Sequence, residues 1–433
     1  MTNAVRRSFR LACRSEHHPQ VEALLTAQGY AFEPEPFAGF ARMLTQEPAP
    51  LGASVAARFG RIYIQDRSSM LPPLALNPRP GAHVLDMCAA PGSKTGLLAR
   101  MVGAQGFVLG CEPSAGRIAS LRANLRRAGA VQTATLHASG TELSFGGDGF
   151  SYILLDPPCS GWGTEDKNPR AKALWSGDKV EPLIRLQRRL LEQGAALLRP
   201  GGRLVYSTCT TNEHENEAQV LFALEHLGLE LETLPLPPGF LFEAPRLGCP
   251  DGVWRVAEDS EGEGFFVAAL KRPGMPEDAD SENSAAATHG HVVAMEGARR
   301  IRRDRLDCPE LLTWDRLPDG ELAEFAGKAV MLPAGAMQRM RPGMRWQGAA
   351  LGRLRKGALR PDPLCRILMP RDYAPAMACD GALNVEDPED IMALMSGRAL
   401  TAPAGKGMVP LYFRGMPLGW AARKGSRVLW TEL

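Results

Sequence analysis

Apolar runs bounded by turn residues recur along the first 270 residues and predict buried strands. His83-Val-Leu-Asp86, Gly106-Phe-Val-Leu-Gly-Cys-Glu112 and Phe150-Ser-Tyr-Ile-Leu-Leu-Asp156 each run apolar and end on an acid. A fourth, Leu204-Val205-Tyr206, follows Pro200-Gly201-Gly202 and gives way after Cys209 to the polar run Asn212-Glu-His-Glu-Asn-Glu217. Gly264-Phe-Phe-Val-Ala-Ala-Leu270 reads as a last strand. Such short runs, rich in β-branched and aromatic residues, are what a buried strand looks like in sequence. Between them the apolar period lengthens to that of a helix: Leu97, Leu98 and Met101; Ile118, Leu121 and Leu125; Leu183, Ile184, Leu190 and Leu191; Val220, Leu221, Leu224 and Leu227. Strands alternating with helices predict an α/β fold, Rossmann-like, with a doubly wound, mostly parallel sheet. Ahead of it, Gly60 to Met70 predicts a short strand running into a helix start capped by Ser68 or Ser69.

The pattern divides the chain into four. Residues 1–75 form a small N-terminal subdomain carrying Arg6, Arg7, Arg10 and Arg14, and residues 76–272 hold the alternating α/β pattern. Residues 273–291 are Pro, Ser, Ala, Asp and Glu with few large apolar side chains and read as a flexible linker. Residues 292–433 open on Arg299, Arg300, Arg302, Arg303 and Arg305. Further on, Arg339, Arg341, Arg345, Arg353, Arg355, Lys356 and Arg360 are interleaved with Trp346, Gly352 and Gly357. Arginines mixed with turns and an aromatic suit a small β-rich domain that grips a phosphate backbone. Arg117, Arg122, Arg126 and Arg127, by contrast, read as the solvated face of one helix.

Bulk composition narrows the class. The formal net charge is only +2, so any nucleic-acid surface must come from local clustering. No apolar run is long enough to span a bilayer and the first residues lack a signal-peptide core, so the expected setting is the cytoplasm, without a membrane partner. Nine cysteines fall without a C-x-x-C pair, which speaks against a disulfide framework and predicts no metal site. A monomer is the expected state.

Candidate chemistry lies at the strand ends. In Asp86-Met-Cys-Ala-Ala-Pro-Gly-Ser-Lys-Thr95 a strand ends, small residues follow and a helix begins, so a ligand can approach the backbone and meet free N–H groups. The loop is no Walker A motif, because Ser93 and Cys88 stand where glycines are required, and G-x-G-x-x-G is absent. A loop for S-adenosyl-L-methionine remains. Glu112, 26 residues after Asp86, falls near the spacing at which such folds bind a ribose diol. Asp156-Pro-Pro-Cys159 places an acid and a thiol on a stiff turn, and Cys209 ends the next strand. Carbon 5 of a pyrimidine becomes nucleophilic only once a thiolate has added to carbon 6. A methyl donor beside cysteines therefore points to pyrimidine methylation by covalent catalysis. Lys94 is placed to favour thiolate formation, and Asp156 to hold the amino group and ring nitrogen of the base.

Together, Asp86–Thr95, Asp156-Pro-Pro-Cys-Ser-Gly161 and Tyr206-Ser-Thr-Cys-Thr210 closely resemble the Nol/Nop/Sun family of RNA cytosine-5 methyltransferases. Gln65-Asp-Arg-Ser-Ser69 and Glu263-Gly-Phe-Phe266 also look like that family, so the resemblance covers residues 1–272. Leu351-Gly-Arg-Leu-Arg-Lys-Gly357 and Pro417-Leu-Gly419 look like the PUA-type RNA-binding tail of its bacterial RsmF-like branch. The resemblance implies Cys209 as nucleophile and Cys159 as the cysteine that helps release the product. It also implies a cofactor loop of Cys88, Ala89, Ala90, Pro91, Gly92, Ser93 and Lys94, with Glu112 on the ribose and Asp156 near both methyl donor and base. Ser139 stands where the family usually has an adenine-contacting Asp, and Glu165-Asp166-Lys167 replaces its usual arginines. The substrate so implied is RNA, ribosomal RNA or a ribosomal subunit first and transfer RNA second. A DNA cytosine methyltransferase, whose Pro-Cys nucleophile Cys159 partly mimics, and a non-catalytic RNA-binding assembly factor are the alternatives.

Overall fold

The computed structural model describes residues 7–146, 149–164, 174–175, 177–258, 262–275 and 295–431. Most of the expected linker and the segment Glu165-Asp166-Lys167 lie outside the described residues. The chain begins with β1 (Arg7–Leu11), α1 (His18–Ala27), β2 (Ala31–Pro34), β3 (Ala41–Gln46), α2 (Val55–Arg58) and β4 (Ile62–Ile64). Its four strands form an antiparallel sheet in the order β2-β3-β1-β4. The short strand expected near residue 62 is present, but neither Ser68 nor Ser69 caps the helix that follows. The Asp66 carboxylate accepts the Ser68 backbone N–H at 3.0 Å, and the Ser68 hydroxyl donates to the Glu263 carbonyl at 2.9 Å.

The central layer follows with α3 (Leu71–Leu76), β5 (His83–Asp86), α4 (Ser93–Val102), β6 (Phe107–Cys111), α5 (Ala115–Ala128), β7 (Thr133–Leu136) and β8 (Phe150–Leu155). It is completed by α6 (Glu181–Leu197), β9 (Leu198–Thr208), α7 (Glu217–His226), β10 (Glu230–Glu232), β11 (Phe242–Glu243), β12 (Trp254–Val256) and β13 (Phe265–Lys271). Strands β7-β6-β5-β8-β9 are parallel, and β13 and β12 extend them antiparallel. This is a Rossmann-like mixed sheet.

Why the strands read as unbroken apolar runs is visible in the packing. Leu85, Leu109, Leu155 and Tyr206 face one core cluster with Leu190 and Leu191 of α6. Their neighbours Val84, Val108, Leu154 and Val205 face another with Leu98 of α4 and Leu121 and Leu125 of α5. Side chains alternate between two buried faces, so both phases of the strand must be apolar.

The C-terminal part contains β14 (Arg299–Arg300), β15 (Gly320–Phe325), β16 (Lys328–Pro333), α8 (Ala334–Met337), β17 (Trp346–Gln347), β18 (Ala349–Arg355) and β19 (Ala358–Pro361). After these come β20 (Leu383–Val385), α9 (Pro388–Met395), β21 (Leu400–Phe413) and β22 (Met416–Leu429). It is β-rich, with a five-stranded antiparallel sheet β14-β15-β16-β18-β19 and a three-stranded sheet β20-β21-β22. It is also sewn into the rest of the chain. β17 pairs antiparallel with β7 and so extends the central sheet. Ile391, Leu411, Phe413 and Val428 share a core with Phe9, Leu24 and Phe59.

Several arginines take up this docking. Buried Arg366 donates to the carbonyls of Phe59 at 2.8 Å and Arg127 at 3.0 Å. Arg339, also buried, lies over the Phe150 ring at 4.9 Å, and Arg341 donates to the Phe145 carbonyl at 2.6 Å. Arg353, Arg355, Lys356 and Arg360 stay exposed. The arginines of α5 are more engaged than a solvated face: Arg126 pairs with Asp362 at 2.5 Å, and Arg122 donates to the Thr135 hydroxyl at 2.8 Å. Among the described residues no helix is long and apolar enough to cross a membrane.

Candidate active site

β8 and β9 lie side by side and parallel, with Leu155 opposite Tyr206, so the loops that leave them emerge together at the carboxyl edge. In an open α/β sheet that edge is where ligands bind. The result is a contact between two sulfurs: Cys159 Sγ lies 3.1 Å from Cys209 Sγ. Both loops are tied down around it. The Gly163 N–H donates to the Cys209 carbonyl at 3.1 Å, while the Gly163 carbonyl accepts from Gly264 at 3.0 Å. A Cβ on Gly163 would stand 2.2 Å from the Gly264 carbonyl oxygen, so only glycine lets these strands of chain meet.

Lys94, from the first turn of α4, reaches across to the same place. Its Nζ lies 2.6 Å from Asp156 Oδ2, and the Ser207 hydroxyl donates to Asp156 Oδ1 at 2.7 Å. The lysine also lies over the Phe265 ring at 5.5 Å. Burial is the largest influence on Lys94 and opposes its charge. Asp156, Cys209 and Asp86 outweigh it, and the ammonium is held above its ordinary value. Cys159 is pushed well up, first by the hydrogen bond with Cys209, then by burial and by the charges of Cys209, Glu215 and Asp156. Cys159 is thus kept as a thiol, and Lys94 supplies positive charge next to Cys209.

The loop from Cys88 to Lys94 wraps the end of β5 beside β6. It contains a cis Ala90–Pro91 bond, and Gly92, at φ 104°, opens α4 from a left-handed conformation that a side chain disfavours. Asp86 is buried beneath it and accepts from the Thr95 hydroxyl at 2.7 Å; burial raises its carboxyl to about 7. The Arg10 guanidinium, from the N-terminal sheet, donates to the Ser93 carbonyl at 3.2 Å and supports the loop from behind. Glu112, at the end of β6, accepts from the Ser114 N–H at 2.8 Å and faces Arg117 at 3.3 Å. The small-residue loop, the start of α4 and this acid line one edge, which fits a nucleoside with a sulfonium side chain. Ser139 follows β7 at the same edge, where its hydroxyl caps the next turn by accepting from Thr141 N–H at 3.3 Å.

Two kinds of residue escape a reading of the sequence. Arg10 acts across 83 positions, a contact that no local pattern announces. Glu215 sits in the polar run after Cys209, yet it is wholly buried between the two cysteine loops. Elsewhere, Glu16, His17 and Asp372 bring possible ligand atoms within 4.8 Å of one another. Arg14 pairs with Glu16 at 2.7 Å and with Asp372 at 3.5 Å, so the cluster is an ion-pair network rather than a cation cage.

Comparison with known proteins agrees with this geometry. A family model described as 16S rRNA methyltransferase RsmB/F matches residues 73–271. Ribosomal RNA small subunit methyltransferase F of Salmonella paratyphi B is 40% identical over 286 residues, covering 63% of this chain. The matched part spans 59% of that relative's length. Among solved structures, a methyltransferase homologue from Pyrococcus horikoshii is 33% identical, with a TM-score of 0.53 over 62% of this chain and 87% of its own. NSun6 from the same organism, at 20% identity, shares the fold with a TM-score of 0.55 over 62% of this chain and 91% of its own.

Proposed function

We propose that this chain, whose residues 73–271 match the RsmB/F family model, methylates carbon 5 of a cytosine in RNA through a covalent cysteine–pyrimidine adduct. The observation that carries the reading is the Cys159–Cys209 contact at 3.1 Å beside the Lys94–Asp156 pair. One thiol would serve a simple nucleophile; two in contact suit a reaction that must both form and dissolve an adduct. Small-subunit ribosomal RNA is the favoured substrate, because the curated relative is named for it.

Cys88 to Lys94 and Glu112 would hold S-adenosyl-L-methionine, which supplies an electrophilic methyl group when bound. Cys209, as thiolate, adds to carbon 6 of the cytosine, and the electron pair displaced onto carbon 5 takes the methyl. Lys94 stabilises the thiolate before attack and again when it leaves. Asp156, fixed by Lys94 and Ser207, accepts a hydrogen bond from the exocyclic amino group, and the proton shared along the Lys94–Asp156 contact faces the ring nitrogen as charge gathers there. For release, Cys159, held as a thiol against the departing sulfur, gives its proton to Cys209 and takes up the carbon-5 proton, so the carbon 5–carbon 6 double bond re-forms, the carbon 6–sulfur bond breaks and both cysteines end as thiols. The exposed basic residues of β18 and β19 would contact RNA phosphates.

The test is methyl transfer from labelled S-adenosyl-L-methionine to RNA of a strain lacking the gene. Label in 5-methylcytosine of small-subunit RNA is expected. Label on transfer RNA alone would move the substrate, and a protein active only on DNA would overturn the reading.

A further inference from the structure

We propose that Glu215 is a positioning residue whose carboxylate brackets the Pro157–Ser160 and Cys209–Asn212 loops and so sets the two sulfurs in register; this rests on the covalent-adduct reading above. Glu215 has no exposed surface. Its Oε1 accepts from the Ser160 N–H at 3.0 Å and from the Gln187 side-chain amide at 2.9 Å. Its Oε2 accepts from the Ser160 hydroxyl at 2.5 Å and from the Asn212 side-chain amide at 3.1 Å. Ser160 adjoins Cys159, and Asn212 lies three residues beyond Cys209. Gln187, on α6, also donates to the Pro158 carbonyl at 2.9 Å, so one amide holds the carboxylate and the residue before Cys159 together. The Tyr206 hydroxyl donates to the Glu215 carbonyl at 2.6 Å, which anchors the bracket to the strand that delivers Cys209.

Charge is what makes this more than packing. An ionised carboxylate only accepts, and it offers about four lone-pair sites. Here all four are met by neutral donors from three segments of chain. Such charge-assisted bonds are directional and strong, and a buried carboxylate tolerates little loss of them. A glutamine would fill the same volume but turn an N–H₂ group toward the Asn212 amide or the Ser160 N–H, donor against donor. The loops would then part, and the negative charge that helps keep Cys159 protonated would be gone.

The test uses the full chain with Glu215→Gln, Glu215→Asp and Asn212→Ala. Two readouts separate this inference from the reading beneath it. The first needs no methylation: diamide, which takes one hydrogen from each thiol and is itself reduced to the hydrazine, should close a Cys159–Cys209 disulfide readily in the wild type. It should do so at least tenfold more slowly in Glu215→Gln, scored by peptide mass spectrometry. The second is methyl transfer, where misplacement on the order of 1 Å predicts a kcat loss of about 100-fold with KM for the methyl donor unchanged. Glu215→Asp, which keeps the charge, should restore the pH profile of kcat more fully than its size. Equal cross-linking rates in wild type and Glu215→Gln would overturn the bracket. So would a kcat loss that tracks only the unfolding midpoint, with the pH profile unmoved. If Glu215→Gln does not fold, Asn212→Ala decides: slowed cross-linking supports the bracket and an unchanged rate overturns it. Normal cross-linking effects in a protein that methylates no RNA would instead remove the reaction beneath it.

Discussion

Lys94 Nζ and Asp156 Oδ2 meet at 2.6 Å, although one begins a helix after β5 and the other ends β8. The pair therefore joins the Cys88–Lys94 loop to the end of β8, beside Cys159. Replacing Lys94 with Met would leave Asp156 with Ser207 alone and take the positive charge from Cys209. A preorganised donor of this kind is worth about 10²–10³ in kcat, so Lys94→Met should lose that much with little change in fold. Steady-state kinetics alongside circular dichroism would check it. A variant within twofold of wild type would remove Lys94 from the chemistry.

The 3.1 Å contact between Cys159 and Cys209 makes opposite forecasts for the two cysteines. Cys159→Ala should still form the adduct but fail to dissolve it, so a protein–RNA species stable to denaturing gels accumulates. Cys209→Ala should show no such band and no methylation. Trapping by Cys209→Ala rather than Cys159→Ala would exchange the roles.

Asp86 gives a pH dependence whose sign follows from its burial. Its carboxyl is raised from 3.8 to about 7. Between those values the folded protein keeps a proton that the unfolded chain has lost, so stability falls as pH rises through the window and levels off above it. Asp86→Asn can still accept the Thr95 hydroxyl but does not titrate. The stability of wild type relative to Asp86→Asn should therefore drop by up to about 4 kcal/mol between pH 4 and 7. Denaturant titrations at several pH values would measure it, and a pH-independent difference would count against the buried, titrating acid.

The parts that were legible in sequence share a cause. β5, β6, β8 and β9 are apolar in both phases because both faces are covered, and each gives way to polar or small residues where it leaves the core. The cysteines and Lys94 stand at those exits, so their meeting follows from the order of the strands. Glu215 and Asn212 could not be found this way. Their run is polar, and only donors up to 55 positions distant turn it into buried structure. β17 is too short, at two residues, for any periodicity, yet it joins the C-terminal part to the central sheet. The arginines divide by the same rule: composition shows that they cluster, while tertiary contact decides which of them, such as Arg339 and Arg366, are spent on docking.

A buried ion pair inside the N-terminal part faces the central layer through an aromatic ring. Arg67 donates to Glu35 through Nε at 3.0 Å and NH2 at 2.6 Å, and its guanidinium lies 4.3 Å from the Phe240 ring centroid. Side chains of both partners are only 4% exposed. A pair so placed gains little over a hydrophobic substitute, because desolvating two charges offsets their attraction. Removing the guanidinium is different, since it strands the buried Glu35 carboxylate. Arg67→Met should cost about 3–5 kcal/mol, and Glu35→Gln less, whereas the double variant should recover part of the Arg67→Met loss. A double-mutant cycle by chemical unfolding reads the coupling directly. Additive losses would mean that Arg67 acts through contacts other than Glu35, its stacking on Phe240 among them.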